Sequence, residues 1–90
     1  MTAPSQERHI LHANAITNLP HHRFAVVHLL PARDGTAHGG ARLFVVHGED
    51  EWRTDVYVGE TFPIGEQVWR LDEVVMPDNR RFTATVTRVW

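Results

Sequence analysis

RLFVVHGEDEWRTDVYV, Arg42 to Val58, is the stretch on which the fold turns. Two runs of β-branched and aromatic residues, Arg42 to His47 and Trp52 to Val58, flank the turn-forming cluster Gly48-Glu49-Asp50-Glu51. Symmetric closure of that cluster sets His47 opposite Trp52, Val45 opposite Thr54 and Leu43 opposite Val56. The apolar faces of the two runs then coincide, which predicts an antiparallel hairpin.

The segments on either side follow the same rhythm of short apolar runs closed by Gly, Pro, Asp or Asn. Upstream, Arg23 to Leu30 is apolar on both faces and reads as a central strand. The longest loop, PARDGTAHGGA from Pro31 to Ala41, connects it to Arg42, with Asp34-Gly35 as a turn signal and Gly39-Gly40 as a flexible exit; mobility is expected there. Closure of this loop about Thr36 would set His28 opposite Phe44 and His47 opposite Ala25. The first run, Arg8 to Ile16, alternates as a strand, although Ser5 could cap a helix carrying Leu11, Ala15 and Leu19 on one face. We read it as a strand, with residues 1–7 as a flexible tail and Leu19-Pro20-His21-His22 as a turn.

Downstream, Gly59 and Pro63-Ile64-Gly65 bracket a short Thr61-Phe62 segment before Gln67 to Val75, and Pro77-Asp78-Asn79-Arg80 turns the chain into Phe82 to Trp90. Symmetric closure pairs Val75 with Phe82, Glu73 with Ala84, Leu71 with Val86 and Trp69 with Arg88. The opposite face of the last run carries Thr83, Thr85 and Thr87, a row suited to a solvated surface. The segment GETFPIGEQVWRLDEV, Gly59 to Val74, resembles a motif of small uncharacterised all-β proteins of actinomycete bacteria through Gly59, Thr61, Phe62, Pro63, Gly65, Trp69 and Leu71. The resemblance implies a strand-turn-strand unit and brings no activity with it.

These readings predict a single all-β domain over residues 1–90, with five or six antiparallel strands in meander order forming a small barrel or a compact sandwich. Sheet edges in so small a domain call for closure or for dimerisation through an edge strand.

Composition narrows the function classes. Nine basic against eleven acidic residues, a formal net charge of -2, leave no basic footprint for nucleic acid. All nine basic residues are Arg, which points to a GC-rich bacterial genome. Without cysteine there is neither a disulfide nor a thiolate metal site. No secretory leader or run of membrane-spanning length is legible, which implies a soluble, cytoplasmic protein without a membrane partner. No nucleophile elbow, phosphate loop or dinucleotide fingerprint occurs, and no cofactor is implied.

Seven histidines are the compositional outlier. On a strand His9 and His12 face opposite ways, and His21 and His22 fall in a turn, so no metal site is assigned. His28 and His47 lie within apolar strands. His28 is a candidate base or a hydrogen-bonded, partly buried histidine, and His47 is expected to stack on Trp52. Glu73 falls on the apolar face of Trp69, Leu71 and Val75, where burial would raise its pKa and suit it to proton transfer. A bulge at Asp72-Glu73 would turn it to water instead. Arg88, opposite Trp69, could pair with Glu73 or stack on the indole.

The favoured function is a non-enzymatic binding or protein-interaction module. Its partner, or a second copy, would dock at an edge strand or at the Pro31 to Ala41 loop, with Trp69, Arg88, His47 and Trp52 as binding residues. The alternative is a small-molecule-binding barrel or compact enzyme accessory to a biosynthetic pathway. Its pocket would be lined by His28, Glu73 and Arg88, with His28 or Glu73 moving protons.

Overall fold

The structure is a computed structural model describing residues 7–31, 39–78 and 81–90. Most of the Pro31 to Ala41 loop, the first six residues of the tail and the Asn79-Arg80 tip lie outside the described residues. The elements are β1 (Arg8–His12), β2 (Ile16–Asn18), β3 (His22–Leu30), β4 (Gly40–His47), β5 (Asp50–Tyr57), β6 (Thr61–Ile64), β7 (Gln67–Asp78) and β8 (Arg81–Arg88). They form two four-stranded antiparallel sheets, β1-β8-β7-β6 and β2-β3-β4-β5. Of the two expected architectures the chain adopts the sandwich rather than the closed barrel, and with eight strands rather than five or six. The second sheet is a meander, whereas in the first β1 returns to lie beside β8.

The extra strands come from two corners. Arg8 to Ile16 is not one strand: Asn14 takes φ 61° between β1 and β2, a left-handed conformation that Asn tolerates, and the chain passes from one sheet to the other there. At the second corner Gly59, at φ 92°, lets β5 hand over to β6 in the opposite sheet, and its amide donates to the Leu71 carbonyl at 2.8 Å. Pro63 falls within β6 rather than ending it. As an edge strand β6 tolerates the missing donor.

Between the sheets lies a core built from both, including Leu11, Trp69, Leu71 and Val86 from one and Phe24, Leu43, Val45 and Val56 from the other. Phe24 meets Trp69 edge-on with centroids 5.1 Å apart, and Phe62 at 6.5 Å, so the aromatic contacts cross the sandwich.

Register differs from the symmetric closures in instructive ways. The β4–β5 turn contains only Gly48 and Glu49, with Gly48 at φ 62°, so His47 pairs with Asp50 and Val45 with Trp52. A glycine of positive φ at the first central position suits a two-residue hairpin loop. The shift from the expected register is two residues, which preserves the apolar face. Between β3 and β4 a bulge at Val27 separates the Val26↔Leu43 pair from His28↔Arg42. The β7–β8 closure holds for Trp69↔Arg88 and Leu71↔Val86, then a bulge at Asp72 sets Glu73 opposite Thr85.

That second bulge turns Glu73 to solvent, as the sequence allowed, and places Asp72 on the outer face. There Asp72 accepts from Arg70 Nε at 2.6 Å and from the Thr87 hydroxyl. Thr87 is consequently fully buried, unlike the solvated residue expected of the Thr row. Burial alone would raise the Asp72 carboxyl, but hydrogen bonds from Thr87 and Arg70 and the charges of Arg70 and Arg8 outweigh it and hold the carboxyl below its ordinary value.

Candidate functional site

The bulge at Val27 decides where the histidines meet. Carried on without it, the pairing that sets His28 opposite Arg42 would place Arg23 opposite His47. One extra residue instead puts His22 opposite His47, and a one-residue shift exchanges faces. Both rings turn toward the same end of the sandwich, with centroids 4.9 Å apart and their Nδ1 atoms 2.9 Å apart.

Three further contacts fix the pair. His22 Nε2 lies 2.8 Å from Gln67 Oε1, and the same oxygen accepts from Trp69 Nε1–H at 3.1 Å. An amide oxygen only accepts, so His22 carries its proton on Nε2. Neutral His22 then offers the lone pair of Nδ1, and His47 donates its Nδ1–H to it. The chain of hydrogen bonds runs from His47 through His22 to Gln67, where it meets the donor of the fully buried Trp69. It leaves His47 Nε2 as a bare lone pair held in a fixed direction.

His47 rests on Gly65, where a Cβ would come within 2.8 Å of Nε2. Gly65 is also at φ 59° in the Gly65-Glu66 turn between β6 and β7, so both space and conformation favour glycine there. His22 is only 7% exposed. Burial, with smaller effects from the charges of His47 and His21, lowers its pKa from the ordinary 6.5, against the raising effect of the Gln67 hydrogen bond. A proton on His22 Nδ1 would set two N–H groups face to face, so the contact with His47 opposes protonation of His22 there as burial does.

Concave surface lies at this end. A cleft of about 450 Å³ is lined by His21, His22, His47, Gly65, Gln67, Arg88 and Trp90, among others, and a second of about 380 Å³ lies across Leu19, Pro20, His21 and His22. Trp90 is 75% exposed, yet its backbone is tied to Val68 by hydrogen bonds of 3.1 and 3.2 Å. Arg88 donates Nε–H to the Trp90 backbone oxygen at 3.0 Å, and Glu7 Oε1 lies 3.5 Å from its Nη1. His9 covers Trp69 on the adjoining side, at 5.9 Å between centroids. Among the described residues no group of three or more His, Cys, Asp or Glu side chains could hold a metal ion.

The residues singled out by sequence are redistributed. Arg88 and His47 share the cleft, with Trp69 beneath it as a buried support. Trp52 does not join them, because the shorter turn sets it opposite Val45, and His47 hydrogen-bonds to His22 instead of stacking on Trp52. His28 is exposed rather than partly buried, on the outer face opposite Arg42, and its charge helps hold Asp55 low after the hydrogen bond from Arg42. Glu73 is exposed in the other sheet, and Arg88 turns to Glu7 and Trp90 rather than to Glu73. The structure does not gather His28, Glu73 and Arg88 into one pocket.

His22 and Gln67 were missed. His22 continues inward the alternation of Phe24 and Val26, a signal hidden by assigning Leu19 to His22 to a turn.

Comparison with known proteins adds one positive finding: residues 6–90 match a family of unknown function, DUF6406. The chain belongs to the DUF6406 family. No curated protein matches this DUF6406 chain. Nor does any solved structure. No helix in the described part of this family member is long and apolar enough to cross a membrane.

Proposed function

We propose that this DUF6406 chain is a small bacterial, non-enzymatic binding module whose ligand occupies the cleft at the histidine end. The observation that carries the reading is the hydrogen-bonded His47–His22–Gln67–Trp69 chain, which presents His47 Nε2 in a fixed direction beside a cleft of about 450 Å³. Fixed polar groups in a concave surface are how small ligands are oriented.

The chemistry of the lining favours an acidic ligand with a flat apolar part. Arg88 supplies a guanidinium on which Glu7 already shows that a carboxylate can sit, at 3.5 Å. The exposed Trp90 indole offers a face for stacking. His47 accepts a hydrogen bond when neutral and donates one when protonated, so a carboxylic acid engages it in either state.

Titration of the labelled protein with benzoate and with inorganic phosphate, followed by amide and indole resonances, tests this. Saturable shifts centred on Gly65 to Gln67 and Trp90, lost in Arg88→Gln, are expected for benzoate. Shifts scattered over the surface, or none at the cleft with either probe, would overturn the acid-binding reading.

A further inference from the structure

The four sheet edges are unequal. β2 has three residues, β6 has four and contains Pro63, and β1 has five, whereas β5 runs for eight, Asp50–Tyr57, without proline. Among the described residues no strand lies beyond β5. Its backbone phase is set by two contacts: Val58 N–H donates inward to the Gly39 carbonyl at 3.1 Å, and Tyr57 N–H donates to Glu60 Oε1 at 2.9 Å rather than to β4. Residues alternate in this respect along a strand, so Glu51, Arg53 and Asp55 direct their backbone N–H and C=O groups away from β4.

Charges on an edge ordinarily keep strands of other chains away. Here their signs alternate, so their effect depends on register. If two copies of β5 pair antiparallel about a twofold axis through Arg53, Arg53 faces Arg53 and Glu51 faces Asp55. An axis through Asp55 sets Asp55 against itself. An axis through Trp52 matches Glu51 with Arg53 but engages only Asp50 to Thr54. An axis through Thr54 lays Glu51 to Tyr57 alongside the second copy, sets Arg53 opposite Asp55 of that copy twice over through their outward backbone groups while the Tyr57 N–H and carbonyl stay with Glu60, and places Trp52 opposite Val56 on the core side.

We propose that β5 is a self-association edge, pairing with β5 of a second copy about an axis through Thr54 to join two four-stranded sheets into one of eight. The side chains suit it. Arg53 and Asp55 lie on the outer face, Arg53 with its guanidinium carbon 6.0 Å from the Phe44 ring centre and Asp55 in a two-pronged pair with Arg42 at 2.7 and 3.0 Å. A carboxylate has lone pairs beyond the two that Arg42 uses, so each Asp55 would stand between Arg42 of its own chain and Arg53 of the other. The pairing is isologous, as a twofold dimer requires. It involves none of the cleft residues and does not rest on the ligand proposed there.

Sedimentation velocity over a concentration series tests it. The wild-type protein is expected to dimerise. Arg53→Asp and Asp55→Arg should each weaken the dimer roughly ten- to thirty-fold by turning two opposite-charge pairs into like-charge pairs. Mixing the two variants should restore association, because every facing pair is again opposite in charge. As a measurement independent of those charges, Thr54→Cys should cross-link two copies on mild oxidation, since the chain has no other cysteine. A wild-type protein that stays monomeric, variants as dimeric as wild type, a mixture no more associated than its parts, or an uncross-linked Thr54→Cys would each overturn the proposal.

Discussion

At the scale of single residues, the site depends on a glycine and a chain of hydrogen bonds. Gly65 combines φ 59° with an imidazole where its Cβ would be, at 2.8 Å from His47 Nε2. Gly65→Ala is expected to cost about 1–2 kcal/mol in denaturant unfolding, from left-handed strain and the displaced ring together. The same change should move the His47 and His22 ring resonances, whereas a purely local turn defect would leave them in place. Little of this was legible beforehand. Gly65 was identifiable as a turn residue and His47 as an oddity in an apolar strand, but the partner of His47 is 25 positions away. No local pattern encodes contact over that distance.

At the scale of elements, bulges and short turns carry the information that periodicity lacks. Alternation identified β4, β5, β7 and β8, apolar residues on both faces identified β3, and an error of two residues in the β4–β5 turn left the faces correct. The bulge at Asp72 was legible as a conflict, since a carboxylate stood among Trp69, Leu71 and Val75. The bulge at Val27 was not, because Val26, Val27 and Leu29 are apolar and register no conflict when one is displaced. What the Asp72 bulge stabilises can be measured. Thr87→Val keeps the buried shape but removes a donor to a charged acceptor, and should cost about 1.5–3 kcal/mol at neutral pH. The Asp72 carboxyl is held below its ordinary 3.8, so its contribution is present above that value and is lost as pH falls through the folded-state value. The deficit of Thr87→Val should therefore shrink in acid, as followed by urea unfolding at a series of pH values.

At the scale of the whole molecule, the two sheets share a core while β3 to β4 and β6 to β8 converge to set a polar chain at one end. Burial lowers the His22 pKa below 6.5, so an unfolded chain takes up its proton first as pH falls. The stability linked to neutral His22 is complete above that value and is lost as pH falls from it through the lower folded value. The groups facing the pair, His21 beside it and Glu7 and Arg88 across the neighbouring concave surface, belong to the same end; the charge of His21 lowers His22 further and that of Glu7 raises it. Nitrogen-15 spectra of the histidine rings in the intact protein, recorded from neutral pH into acid, test this account most directly. The account predicts His22 protonated on Nε2 alone and His47 on Nδ1 alone at neutral pH, with His22 titrating below 6.5. A His47 ring protonated on Nε2 instead would show that the two imidazoles are not linked as described and that the cleft lacks its fixed polar group, and a His22 that titrates at or above 6.5 would contradict the lowering by burial.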